Sequence, residues 1–376
     1  MKHWHETSQI LAHAAALAQA GHRAALATVV RIQGSAYRRP GAKLLVADDG
    51  MMTGNVSGGC LEADVREWAL AALPTDSPRL LHYDTGGDDQ TVWNLGLGCN
   101  GAVDIFVQSA TTAAALDTGA RLRPLLDGDA PFAVATVVAG VGERATSLLG
   151  RVLVVARDGV LAGSTGNPDA DREVAAQAAA LLAAAESGIH PVAGLQVFVE
   201  VLRPPPRLLV FGAGDDAVPL VRYARDAGFR VTVLDHRSAY LVPERFAEGT
   251  RLLQARAEHG LPDLPPLGPD VYTVVKTHSL QHDREWVQRL LESPVAYVGI
   301  LGPRARTEEI LRQLGVLEGT AASTRVFGPV GLDLGADGAE QIALSIVAEL
   351  LAVRSGREPN HLRDAVGGIH GDAHVT

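Results

Sequence analysis

Residues 207–235 read RLLVFGAGDDAVPLVRYARDAGFRVTVLD. An apolar run reaches a glycine turn, an amphipathic segment follows, and a second apolar run ends on an acid. Gly212, Gly214 and Ala217 form G-x-G-x-x-A between strand and helix, and Asp235 follows about 20 residues on, the dinucleotide fingerprint in its proper context. Gly212 permits the tight turn, Gly214 lets a pyrophosphate approach the backbone, and Ala217 allows close helix–sheet packing. The helix N-terminus offers free N–H groups to an anion, and Asp235 is placed to accept from a ribose. Asp215 and Asp216 suit the helix dipole but repel a phosphate, whereas His236 and Arg237 offset them. A nucleotide-binding domain and a scaffold that binds none are both compatible with this stretch.

Outward from it the pattern is regular. Strands are expected at 270–278 and 295–302, with a helix at 282–293, and strands alternating with helices at this spacing imply a parallel, doubly wound sheet. Ligands of such sheets bind outside the carboxyl ends of the strands. Two further strand ends are polar: Lys276, Thr277 and His278, and then Gly302, Arg304 and Arg306. A last helix is expected over about 338–354, opened by an Asp337/Glu340 capping box and closed by Gly356.

Upstream, RPPPR (203–207) continues neither strand nor helix and marks a joint. Before it, strands at 24–32, 42–47, 79–84, 102–110, 131–139, 151–156 and 194–202 mix with helices at 5–20, 58–73, 111–126 and 169–186. Leu61, Val65, Trp68 and Ala72 share a face of the second helix. No internal repeat is evident. The chain reads as α/β: an N-terminal mixed α/β domain over 1–203, a Rossmann-like parallel α/β domain over 207–356 and a tail over 357–376.

The 376 residues carry a net charge of −10, which argues against nucleic acid as the main partner, since phosphate contacts need a basic surface. No apolar run reaches the roughly 20 residues of a membrane span, and the first residues lack the apolar core of a signal peptide. A cytoplasmic protein is expected.

Only two cysteines occur. Cys60 lies in GNVSGGCLEADV (54–65), behind Gly58 and Gly59 and within the first turn of the expected helix, with Ser57 as its cap. A helix N-terminus favours a thiolate, and two glycines clear the approach. Cys99 lies in GLGCNG (96–101), again between glycines. Each is either a presented thiol or a small buried hydrophobe, and a disulfide between them is open. No spacing here suits zinc. His82 is a base by residue type alone.

The ordered set of these motifs, with TVVRIQGSAYRRPGAKLLV (28–46), VVKTHSLQHD (274–283), YVGILGPRART (297–307) and GPVGLDLGADGAEQIALSIVAEL (328–350), resembles the XdhC/CoxI family over nearly the whole chain. Those proteins are accessory factors of molybdenum hydroxylases such as xanthine dehydrogenase. The resemblance implies a chaperone without turnover that binds the molybdenum cofactor, as molybdopterin or its cytosine dinucleotide. It also implies an apo-hydroxylase and a cysteine desulfurase as partners, and a homodimer. Cys60 and Cys99 would lie near the metal or its sulfur, with Cys60 in contact with molybdenum. Gly58, Gly59, Gly212, Gly214, Asp235, Arg237, His278, Gly302 and Arg304 would serve the rest of the cofactor. Asp215 departs from the histidine many members carry after the second glycine. An NAD(P)-dependent oxidoreductase, with Lys276 or His278 as acid/base, and a scaffold with inert cysteines are the competing readings.

Overall fold

A computed structural model describes residues 2–34, 38–84, 101–140, 142–261 and 263–364. The chain divides between Pro204 and Pro205 into two compact units. Among the described residues no helix is long and apolar enough to cross a membrane.

The first unit opens with α1 (Lys2–Gln19), followed by β1 (Ala24–Gly34), β2 (Lys43–Ala47), β3 (Met52–Gly54), α2 (Glu62–Ala72), β4 (Arg79–Asp84) and β5 (Gly101–Ser109). After α3 (Ala113–Asp127) come β6 (Phe132–Gly140), β7 (Val152–Ala156), β8 (Gly159–Gly163), α4 (Pro168–Ala184), β9 (Gly188–Val192) and β10 (Leu195–Leu202). They build two five-stranded sheets, ordered β3-β2-β1-β5-β4 and β8-β7-β6-β10-β9, and every pairing in both is antiparallel.

The two orders are one topology used twice, which corrects the expectation of no repeat. The correspondence extends to irregularities. In the β1–β5 pairing the register shifts between Val29 and Arg31, leaving Val30 as the extra residue; in the β6–β10 pairing it shifts so that Val138 is extra. Val29 N–H donates to Ala42 O and Gly41 N–H to Val29 O; Val137 N–H donates to Arg151 O and Gly150 N–H to Val137 O. The last residue of each third strand is a glycine with positive φ, Gly54 at 90° and Gly163 at 84°. A Cβ there would stand 2.3 Å from Lys43 O and 2.1 Å from Val152 O, so no side chain fits either place. The hairpins differ: Ala193 and Gly194 alone join β9 to β10, whereas residues 85–100 separate β4 from β5.

Each sheet buries its outer face under one helix. Leu61, Val65, Ala69 and Leu73 pack on Ala27, Val29 and Ile105 in the first copy. Val174, Ala178 and Leu181 pack on Ala135, Val137 and Val197 in the second. Trp68, expected on that face, is 40% exposed; the guanidinium of Arg79 stacks on it at 4.6 Å instead. The inner faces meet through Val30, Phe106 and Leu80 from one copy and Val138, Phe198 and Ile189 from the other. At this seam Lys43 Nζ of β2 lies 2.5 Å from Glu200 Oε1 of β10 and also donates to Gly41 O, with both side chains under 9% exposed.

The second unit is built on a parallel sheet ordered β13-β12-β11-β14-β15-β16, as the alternating pattern predicts. Its elements are β11 (Arg207–Phe211), α5 (Ala217–Asp226), β12 (Arg230–Asp235), β13 (Arg251–Gln254), β14 (Val271–Val275), α6 (Leu280–Leu291), β15 (Tyr297–Ile300), α7 (Arg304–Gln313), β16 (Val326–Phe327) and α8 (Gly338–Ser355). Strand order reverses between β11 and β14, which puts the crevice of the fold above those two strands. Leu220, Val221 and Ala224 of α5 pack with Ala343, Ile346 and Leu350 of α8 on one face. Trp286, Val287 and Leu290 of α6 pack with Ile310 of α7 on the other. The Asp337/Glu340 box does not form: the Asp337 N–H donates to Gln341 Oε1 at 2.9 Å. Gly356 ends the helix in the left-handed conformation, as expected.

Removing one partner of a buried ion pair costs about 3–5 kcal/mol, whereas replacing both by apolar groups is close to neutral. Lys43→Met or Glu200→Leu alone is therefore expected to lower the melting temperature by about 6–12 °C. The double substitution is expected to return it to within about 3 °C of the parent; thermal unfolding of the four proteins checks this.

Candidate functional site

The Cys60 segment lies on the outer side of the first sheet, at the entry to α2. The helix starts at Glu62, later than expected, with Leu61 at the cap position, so Cys60 sits in the turn that feeds the helix and is exposed. Ser57 still holds this turn. Its hydroxyl accepts from Gly59 N–H at 3.2 Å and Leu61 N–H at 3.1 Å and donates to Glu62. Glu62 Oε1 accepts in return from the Val56 and Ser57 amides, a capping box displaced toward the chain start. Burial alone would raise the Glu62 carboxyl; the Ser57 hydroxyl and these amides bring it below its usual value. Gly59 has φ 113° with nothing near its absent side chain, and Gly58 is exposed. The turn is thus braced from inside and open outside.

The Tyr83 hydroxyl at the end of β4 donates to Asp64 Oδ2 at 2.5 Å, pinning α2's first turn to the strand from which residues 85–100 depart. Burial, then the Asp64 carboxylate, raises the Tyr83 phenol. Cys99 lies outside the described residues. His82 is not a base for Cys60. Leu81 and Tyr83 pack toward α2, so His82 lies on the opposite face of β4, where its Nδ1 is 2.5 Å from Asp104 Oδ1.

At the mouth of the second unit each sequence-selected residue has a definite task. A Cβ on Gly212 (φ 114°) would stand 2.4 Å from Lys276 O; the glycine lets two chain crossings touch. Asp235, 2% exposed, accepts four times: Oδ2 from Ala213 N–H and Arg237 Nη2, Oδ1 from Arg237 N–H and Nε. Arg237 in turn lies 3.9 Å over the Tyr240 ring. The carboxylate expected to bind a ribose is thereby saturated within the chain. Gly302 (φ 134°) clears the path of Arg306, whose Nη2 reaches the fully buried Asp283 at 2.5 Å. Arg304, the first residue of α7, is exposed.

Above Gly214 lies a cluster that the residue types announce only in part. Lys276 Nζ, 1% exposed, is 2.5 Å from Asp216 Oδ1, and His278 Nε2 is 3.3 Å from Asp216 Oδ2. Burial lowers the Lys276 ammonium, against the pull of Asp216. Burial would raise Asp216, but Lys276 first, and then His278, hold it below its usual value. Asp215 is fully exposed and pairs with Arg245 Nη2 at 2.8 Å. A polar pocket of about 160 Å³ opens beside Asp235 and Thr277, where the His236 and His282 rings stand 4.8 Å apart. A cavity of about 430 Å³ between the two sheets of the first unit contains none of the residues selected from sequence. Among the described residues no cluster of His, Cys, Asp and Glu could hold a metal ion.

Residues 17–84 and 125–192 match the XdhC and CoxI family model, and residues 208–350 match the XdhC Rossmann domain. The first two matches each run from before the first strand to the fourth strand of one copy of the repeat. The chain is similar to a probable xanthine dehydrogenase subunit of Bacillus subtilis (strain 168), 32% identical over 340 residues, which covers 90% of this chain and 96% of that one. It is also similar to the molybdenum cofactor insertion chaperone PaoD of Escherichia coli (strain K12), 25% identical over 369 residues, covering 95% and 94%. A crystal structure of a xanthine dehydrogenase from Bacillus halodurans superposes with a TM-score of 0.72 at 26% identity, covering 93% of this chain and 96% of that one.

Burial alone would raise the Asp235 carboxyl, but its hydrogen bonds, those of Arg237 first, bring it down to about 2. A carboxyl lowered from 3.8 stabilises the fold above about pH 4, and that stability is lost as pH falls through about 2. Asp235→Asn is expected to cost about 2 kcal/mol at neutral pH and to flatten the loss of stability between pH 4 and 2, measured by urea unfolding across that range.

Proposed function

Since the chain belongs to the XdhC and CoxI family, we propose that it is an accessory protein of a molybdenum hydroxylase. It binds the molybdenum cofactor, holds it in the cytoplasm while a cysteine desulfurase supplies the terminal sulfur, and delivers it to the apo-hydroxylase. Full-length similarity to a protein named as a molybdenum cofactor insertion chaperone supports the reading, and the exposed Cys60 turn carries it. A thiolate is a soft donor suited to a sulfur-rich metal centre. The residues fit such a group: Cys60 is exposed, Gly58 and Gly59 leave the approach clear, and Ser57 and Glu62 fix the turn from behind. When bound, the cofactor brings the molybdenum chemistry that the client hydroxylase uses. The chain's own part is to hold and release. Cys60 offers its sulfur, the braced turn keeps that sulfur from collapsing onto the sheet, and Tyr83 ties the end of β4 to the same helix.

Transfer is therefore the activity to measure. Cofactor-loaded protein mixed with apo-hydroxylase is expected to activate it up to one cofactor per active site. Cys60→Ala is expected to retain at least tenfold less cofactor and to activate correspondingly less, with an unchanged melting temperature because Cys60 supports no packing. Equal retention and equal activation by the variant would refute the assignment. Mass spectrometry of the released pterin separates molybdopterin from its cytosine dinucleotide.

A further inference from the structure

The glycine loop of the second unit has the shape of a nucleotide site but holds one of the chain's own carboxylates where a phosphate would go. In the dinucleotide fingerprint the second glycine exists so that a pyrophosphate can pass close to the backbone. Here that place, over Gly214, is filled: a Cβ on Gly214 would lie 2.8 Å from Asp216 Oδ1. The groups that grip Asp216 are those an anion would seek. Lys276 is almost wholly buried and points its ammonium at Oδ1. His278 takes a left-handed backbone conformation, φ 61°, and its ring nitrogen lies beside Oδ2. The start of α5 adds no amides to this grip: Ala217 N–H donates to Gly214 O, Val218 N–H to Asp215 O, and Pro219 has none.

We propose that Lys276 and His278, beside the turn at Gly214, form a phosphate site that Asp216 occupies as an internal substitute, so that a nucleoside diphosphate or nicotinamide dinucleotide binds only by displacing it. Asp216 is part-way to solvent, 29% exposed, so displacement needs no opening of the core. The saturation of Asp235 by Arg237 and Ala213 acts in the same direction, because it removes the ribose acceptor that would help such a ligand compete. Nucleotide binding of this kind stands or falls independently of cofactor transfer.

The test is titration of ADP, without metal, into the full-length protein at low ionic strength, using the parent, Asp216→Asn, Asp216→Ser and Asp216→Asn/Lys276→Met. Both single variants are expected to bind ADP at least tenfold more tightly than the parent, with inorganic phosphate competing. The double variant is expected to lose that gain, because Lys276 supplies the charge. Lys276 without its partner can weaken the fold, so melting temperatures are read in parallel: ADP should raise those of the single variants more than that of the parent. A parent that binds ADP as tightly as the single variants would overturn the proposal. So would single variants that show neither tighter binding nor the larger thermal shift, or a gain that persists without Lys276.

Discussion

The first unit depends on two sheets closing over each other's inner faces. Val30, Phe106 and Leu80 of one copy pack in one cluster with Val138, Phe198 and Ile189 of the other. Burying such side chains is worth about 1.5–3 kcal/mol each, so the seam holds the two copies together as one body. The Lys43–Glu200 pair crosses the same seam and adds direction to it, because a charge buried there has one partner that satisfies it. The helices on the outer faces pack on their own sheets from the other side.

The second unit is the more legible in sequence. Its strands are near-continuous runs of Val, Leu, Tyr and Ile, as a sheet covered on both faces requires, and the fingerprint at Gly212 and Gly214 sets the register of the whole. Side-chain partners are not legible. Asp235 stands where a ribose acceptor should, but its tie to Arg237 depends on a turn that spacing alone does not reveal. Asp216 and Lys276 are 60 residues apart and meet only because β11 and β14 are neighbours. Gly212 reads in sequence as a turn glycine and Gly302 as part of a ligand site, and the structure uses both for close approaches within the chain.

The duplication is illegible for a different reason. It is kept in positions, not in letters: Leu80 answers to Ile189, Ile105 to Val197, Gln108 to Glu200. The edge strands β3, β8 and β9 are short and carry little pattern, and residues 85–100 stretch one hairpin far beyond its counterpart. Paired glycines and paired bulges betray the repeat, and they emerge only when the backbone is seen. Cys60 shows the same limit on a smaller scale. The helical pattern before Glu62 is real in composition, but the two glycines carry no helix, so the thiol stands one turn outside.

A half of this unit, taken alone, would be a sheet with its outer face under one helix and its inner face only part-covered, by α1 in the first copy and α3 in the second. The present unit carries both copies on a single chain, and they differ at one corner. One keeps a glycine–glycine–cysteine corner and a long hairpin; the other closes the same corner with Asn167 and Pro168 and turns back after two residues. The two copies thus differ most at this corner and this hairpin, on a topology they otherwise share.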